Sequence, residues 1–203
     1  EEACRKYLSL YSEKELKSKY TFSMNLPHLI DALQDTIRYG NIKLKNYKKV
    51  YSDEDVIQFS VVTLVLPDGS LVLSFSGTDG SITGWKENLM MTYSKDLPCQ
   101  ILAKDYVKET IADIPETSYL FGLKKKKVYP KMYLTGHSKG GNLAMYAYLK
   151  NPKLQGYIEG VKSFDGPGFA DGFWQGDEDV SKITNYIPKD SIVGRVLDHR
   201  EQT

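Results

Sequence analysis

The stretch Gly136-His137-Ser138-Lys139-Gly140 sets a serine between glycines two positions before and two positions after it. A short apolar run, Met132 to Thr135, precedes it and reads as a buried strand; a helical pattern follows and ends at Asn151-Pro152. Strand, G-x-S-x-G and helix together describe a nucleophile elbow, a turn so sharp that side chains flanking the serine at both glycine positions would collide. Gly140, Gly141 and Ala144 also give the helix a small face for close packing. The helix's first N–H groups, with the dipole behind them, would face an oxyanion formed beside the serine. The chemistry implied is attack by the Ser138 hydroxyl on a carbonyl carbon.

Competing chemistries lack their residues. No Gly-Lys-Ser/Thr follows the glycines, so 136–142 is not a phosphate-binding loop, and no G-x-G-x-x-G follows a strand. Cys4 and Cys99 form neither a zinc spacing nor a disulfide pattern, which leads us to expect no metal, no cofactor and a reducing, cytoplasmic compartment, with a leader before Glu1 as the open alternative. A net charge of +1 gives no electrostatic reason to expect nucleic acid, and no apolar run approaches a membrane span.

The 203 residues are enough for one α/β domain, read here as spanning 1–203. The chain starts at Glu1 rather than Met and reads as a fragment truncated at both ends. Residues 1–20 suggest a peripheral helix. A better one starts at Asn25-Leu26-Pro27, carries Leu29, Ile30, Leu33 and Ile37 as its stripe, and closes at Gly40. From Asp55 to Gly77, two β-rich runs flank Pro67-Asp68-Gly69-Ser70, which predicts an antiparallel hairpin. Its second strand runs into the Ser76–Gly80 loop, a place where α/β sheets bind ligands. Helices are predicted around Trp85–Leu89 and over Gln100–Ile114, and strands over Tyr157–Phe164 and Lys182–Ile187. Lys124–Lys127 reads as a solvated loop. Its alternative reading is a docking patch for anionic lipid or another acidic partner; on lipid, with exposed Phe173 and Trp174, it would give a weak membrane-surface contact.

Four ordered segments carry a resemblance. Phe75-Ser76-Gly77-Thr78 with Trp85 resembles the segment bearing an oxyanion-hole residue in class 3 (fungal-type) lipases. Gly136 to Gly141 is similar to their elbow, with Lys139 where they usually carry leucine. Ser163-Phe164-Asp165-Gly166-Pro167-Gly168 is similar to the strand end that follows, and Tyr186 to Gly194 sits where those lipases place their acid. The same four segments resemble, more closely, the bacterial Mbeg1-like family of lipase-like proteins, whose substrates are unknown. The resemblance implies an α/β-hydrolase fold: a mostly parallel central sheet with an N-terminal β-hairpin and helices on both faces.

It also implies roles, in the chain order serine, acid, histidine. Ser138 is the expected nucleophile and Asp190 the expected acid, with Asp165 as a rival that could instead shape a tight loop. The Lys139 N–H and the Thr78 region are the expected oxyanion hole. The base is open. His28 precedes the serine and His137 adjoins it, which leaves His199, a later histidine such as the family offers beyond this point, or a silent site. The expected function is a serine hydrolase cleaving a small-molecule or lipid ester through an acyl-enzyme; the alternative is a catalytically silent binding module.

Overall fold

The computed structural model describes residues 39–119 and 124–202, with residues 6, 9, 10, 32 and 36. The chain forms two compact units, Glu1–Lys43 and Leu44–Thr203, and every site residue named above except His28 lies in the second. The helix expected from Asn25, with His28 and most of its stripe, lies outside the described residues.

Among the described residues, six strands form the central sheet: β1 (Lys43–Ser52), β2 (Ile57–Val65), β3 (Leu71–Phe75), β6 (Met132–His137), β7 (Gly160–Phe164) and β8 (Ile183–Tyr186), adjacent in that order. The hairpin is present: β2 and β3 are antiparallel, with Val61 opposite Phe75 and Val65 opposite Leu71. β3, β6, β7 and β8 then run parallel, which makes an α/β fold with a mostly parallel sheet. The registers put Phe75, Gly136, Ser163 and Asn185 side by side at one edge. That edge is where the chain leaves β3, β6 and β7 for the loops that build the site.

Among the described residues, three helices pack on this sheet: α1 (Ile82–Met90), α2 (Pro98–Ala112) and α3 (Lys139–Leu149). All eleven residues of α3 are buried, so it is a central helix with no solvent face. It lies against α2 and over β3, β6 and β7. Leu73, Leu134, Val161 and Ile183 have no accessible surface, and each such side chain contributes about 1.5–3 kcal/mol of burial free energy. The strand residues of opposite parity, such as Val62, Val72, Tyr133 and Thr184, are half-buried.

Two expectations are corrected. Phe173 and Trp174 are not exposed: they are 2% and 7% accessible, and Phe173 stacks on Phe169 at 3.9 Å between ring centroids. They belong to the core, because the acidic stretch around them turns its aromatics inward onto Tyr146 and Phe169. Lys124–Lys127 is not a loop but strand β5, paired antiparallel with β4 (Glu116–Tyr119) in a separate two-stranded sheet. The membrane-surface reading loses its aromatics. No described helix is long and apolar enough to cross a membrane.

Candidate active site

Ser138 sits between β6 and α3 with φ 55° and ψ −127°, a backbone conformation strained for any residue with a Cβ. Its N–H donates to Phe164 O at 2.9 Å, which ties the turn to the end of β7, and its carbonyl accepts from Gly141 N at 2.9 Å. The glycines are demanded by close backbone approach. A Cβ on Gly136 would fall 2.2 Å from Gly140 C, and one on Gly140 would fall 2.2 Å from Phe75 O. The turn is therefore clamped between its own first helical residues and the end of β3.

The loop after β3 passes directly over this turn. A Cβ on Gly77 would lie 2.9 Å from His137 O and 3.7 Å from Ser138 Cβ, so the residue before Thr78 runs close against the elbow. The N–H groups of Thr78 and Lys139 find no acceptor among the described residues, as a helix start and an open loop permit. Asn88 on α1 holds the Thr78 hydroxyl, with its Nδ2 donating at 2.8 Å.

The Lys139 side chain is buried, 1% accessible. Its Nζ donates to Gln58 O at 2.6 Å, to Gln58 Oε1 at 2.5 Å and to the Glu87 carboxylate, which has no accessible surface. Removing either charge alone would strand the other in the core at a cost of about 3–5 kcal/mol. Cys99 lies against this pair; burial first, then Glu87, pushes its thiol well above the ordinary range and keeps it un-ionised.

Ser138 opens into a pocket of about 210 Å³ lined by Trp85, Met91, Pro167, Ile192, Val193 and Leu197, among others. Its far wall is stitched in place. Gly168 N donates to Val196 O at 3.0 Å, Phe169 N donates to Asp198 O at 3.0 Å, and Asn142 of α3 donates to Gly168 O at 2.7 Å. A larger cleft of about 610 Å³ lies at the ends of β6, β7 and β8 beside His137 and Tyr186, but Ser138 does not line it.

The acids differ sharply. Asp165 has φ 56°, and its carboxylate accepts from Ser191 Oγ at 2.6 Å and from Gly194 N at 3.0 Å. It shapes the 191–194 loop. Asp190 is exposed and has no hydrogen-bond partner among the described residues. His199 is engaged at both ring nitrogens, Nδ1 with Glu201 Oε1 at 2.6 Å and Nε2 with Val196 O at 3.1 Å. Neither Asp190 nor His199 lines the Ser138 pocket. The structure thus groups Ser138, Lys139 and the Thr78 loop and leaves Asp190 and His199 outside that group. Gln58, Glu87 and Asn88 were not singled out from sequence. Their signal is polar residues on the hairpin and α1, at positions where Gln58 and Glu87 are buried and Asn88 is half-buried.

A family model described as Mbeg1-like matches residues 33–203. No curated protein matches. Among solved structures, the chain is similar to the one titled "Crystal structure of M37 lipase", with 17% identity and a TM-score of 0.48 over 84% of this chain. The chain spans 60% of that lipase's length.

Proposed function

For this chain, which belongs to the Mbeg1-like family, we propose the function of a serine hydrolase that cleaves a carboxylic ester through an acyl-enzyme on Ser138. The observation that carries the proposal is the strained serine at a strand-to-helix turn, with an acceptor-free N–H on the next residue, a second on the adjoining 76–80 loop, and an apolar pocket in front. In this mechanism a base removes the Ser138 proton as Oγ attacks the ester carbonyl. The N–H groups of Lys139 and Thr78 hold the oxyanion, the alcohol leaves with the proton, and water then releases the acid. A small-molecule or lipid ester with an apolar acyl group suits the pocket wall.

The resemblance gives Asp190 as the acid, but Asp190 is exposed and has no hydrogen-bond partner among the described residues, so with His199 as base the carboxylate already on its Nδ1, Glu201, is the proposed orienting acid. His199 can serve as base only by exchanging its Val196 bond for the Ser138 hydroxyl, and Glu201 already holds its Nδ1. The test is hydrolysis of p-nitrophenyl acetate and butyrate by the wild type and by Ser138→Ala, Asp190→Asn and His199→Gln. Turnover that survives Ser138→Ala would refute the proposal. Activity retained in His199→Gln would remove that residue from the mechanism.

The engagement of both His199 nitrogens favours a second reading, a hydrolase-fold binding module. It predicts no ester turnover, with ligand binding in the pocket that persists in Ser138→Ala.

A further inference from the structure

The two proposed oxyanion donors come from different segments, the loop after β3 and the start of α3. An oxyanion hole works only when its donors stand at hydrogen-bond distance from one point, so their separation must be held. Gln58 of β2 connects the two segments. Its Oε1 accepts from Lys139 Nζ at 2.5 Å and its Nε2 donates to Gly77 O at 3.4 Å. A second connection runs through α1: Glu87 binds Lys139 Nζ, and the next residue, Asn88, binds the Thr78 hydroxyl. Lys139, Glu87 and Gln58 are 1%, 0% and 4% accessible, so solvent neither screens nor replaces the bonds among these three, while the links onward to Gly77 and Thr78 are half-buried. An apolar side chain at 139 would fill the same space but could not bond Gln58 and Glu87, the residues that lead on to the loop after β3.

We propose that the buried Lys139–Glu87–Gln58 cluster is the positioning device of the oxyanion hole: through Lys139 it fixes the 76–80 loop and α1 against the elbow. The inference rests on the acyl-transfer reading of Ser138. These are positioning residues, acting through the Lys139 and Thr78 amides.

Two variants test it, Gln58→Met and the double Lys139→Met/Glu87→Met. The double variant removes the ion pair at similar volume, a change that folded proteins commonly tolerate. Each is checked for folding by circular dichroism, then read two ways. The first readout is p-nitrophenyl butyrate kinetics, where kcat should fall about 10- to 100-fold with KM within twofold, since only transition-state stabilisation is lost. The second is hydrogen exchange in the peptide spanning 76–88, whose amides at Ser76, Ser81, Gly84 and Trp85 are bonded. It should exchange about tenfold faster as the loop is released. Either readout remaining within twofold of wild type in a folded variant overturns the proposal. A wild type with no ester turnover would count against the acyl-transfer reading itself, and the exchange measurement alone would then decide the positioning role.

Discussion

Gly140→Ala would probe the elbow without touching a reactive group. A Cβ at this position falls 2.2 Å from Phe75 O, 2.9 Å from Phe75 C and 3.0 Å from Ser76 C. All three are backbone atoms at the end of β3, so no side chain can rotate aside. Reaching even 3.0 Å from Phe75 O requires the two segments to part by 0.8 Å (3.0 − 2.2). Overpacking costs about 1–3 kcal/mol, and backbone against backbone puts this variant at the upper end, about 3 kcal/mol. For a chain of this size that is a fall in melting temperature of about 6–12 °C. The displacement also widens the gap between α3 and the 76–80 loop, and a misplacement near 1 Å costs roughly 100-fold in rate. Gly156→Ala is the control. Gly156 is exposed in the 3-10 turn Pro152–Tyr157, where a Cβ meets nothing within 4 Å, so its expected effect is within about 0.5 kcal/mol. Thermal unfolding by circular dichroism, paired with ester hydrolysis, reads both effects. A Gly140→Ala protein that melts and turns over like Gly156→Ala would refute the clamped-turn geometry.

Three further outcomes follow from the packing. In urea unfolding, Lys139→Met and Glu87→Met should each lose about 3–5 kcal/mol while the double variant returns to within about 1 kcal/mol of wild type; additive losses would contradict the buried pair. Phe173→Ala should cost about 3–5 kcal/mol, because the ring is stacked in the core; a loss below about 0.5 kcal/mol would return it to the surface. The His199–Glu201 pair makes stability depend on pH. The Glu201 hydrogen bond raises His199 above its ordinary 6.5 against the effect of burial. Burial pushes Glu201 up, but hydrogen bonds from His199 and from the amides of 201 and 200 outweigh it and hold the carboxyl below its ordinary 4.5. The raised histidine stabilises fully below pH 6.5 and loses this effect as pH rises through its folded value. The lowered carboxyl stabilises fully above pH 4.5 and loses its effect as pH falls. The stability gap between wild type and His199→Gln should therefore be widest between pH 4.5 and 6.5, measured by urea midpoints across pH; a gap that grows toward pH 9 would contradict the pairing.

What could be read from the sequence was local in origin. The elbow, the hairpin around Pro67–Ser70 and helix α2 each announce themselves within a dozen residues, through glycine spacing, turn chemistry and an apolar stripe. Asp165 was legible as a loop-shaping rival because Gly166-Pro167-Gly168 follows it, though its partners Ser191 and Gly194 were not. Strand β1 has no local signature, because KLKNYKKVYS is a lysine-rich edge strand whose residues are largely exposed and carry no apolar alternation. The lysine run at 124–127 pairs as a strand despite a composition that suggests solvent. The Lys139 cluster was hidden for another reason. Its partners lie 81 and 52 positions away, and only the folded sheet brings Gln58 and Glu87 under the serine.

The central claim is that Ser138 is an activated nucleophile. Treating the protein with a fluorophosphonate probe and mapping the adduct by peptide mass spectrometry tests it most directly. A single adduct on Ser138, absent from Ser138→Ala, is the predicted result; an unlabelled wild type, or an adduct elsewhere that persists in that variant, would contradict it.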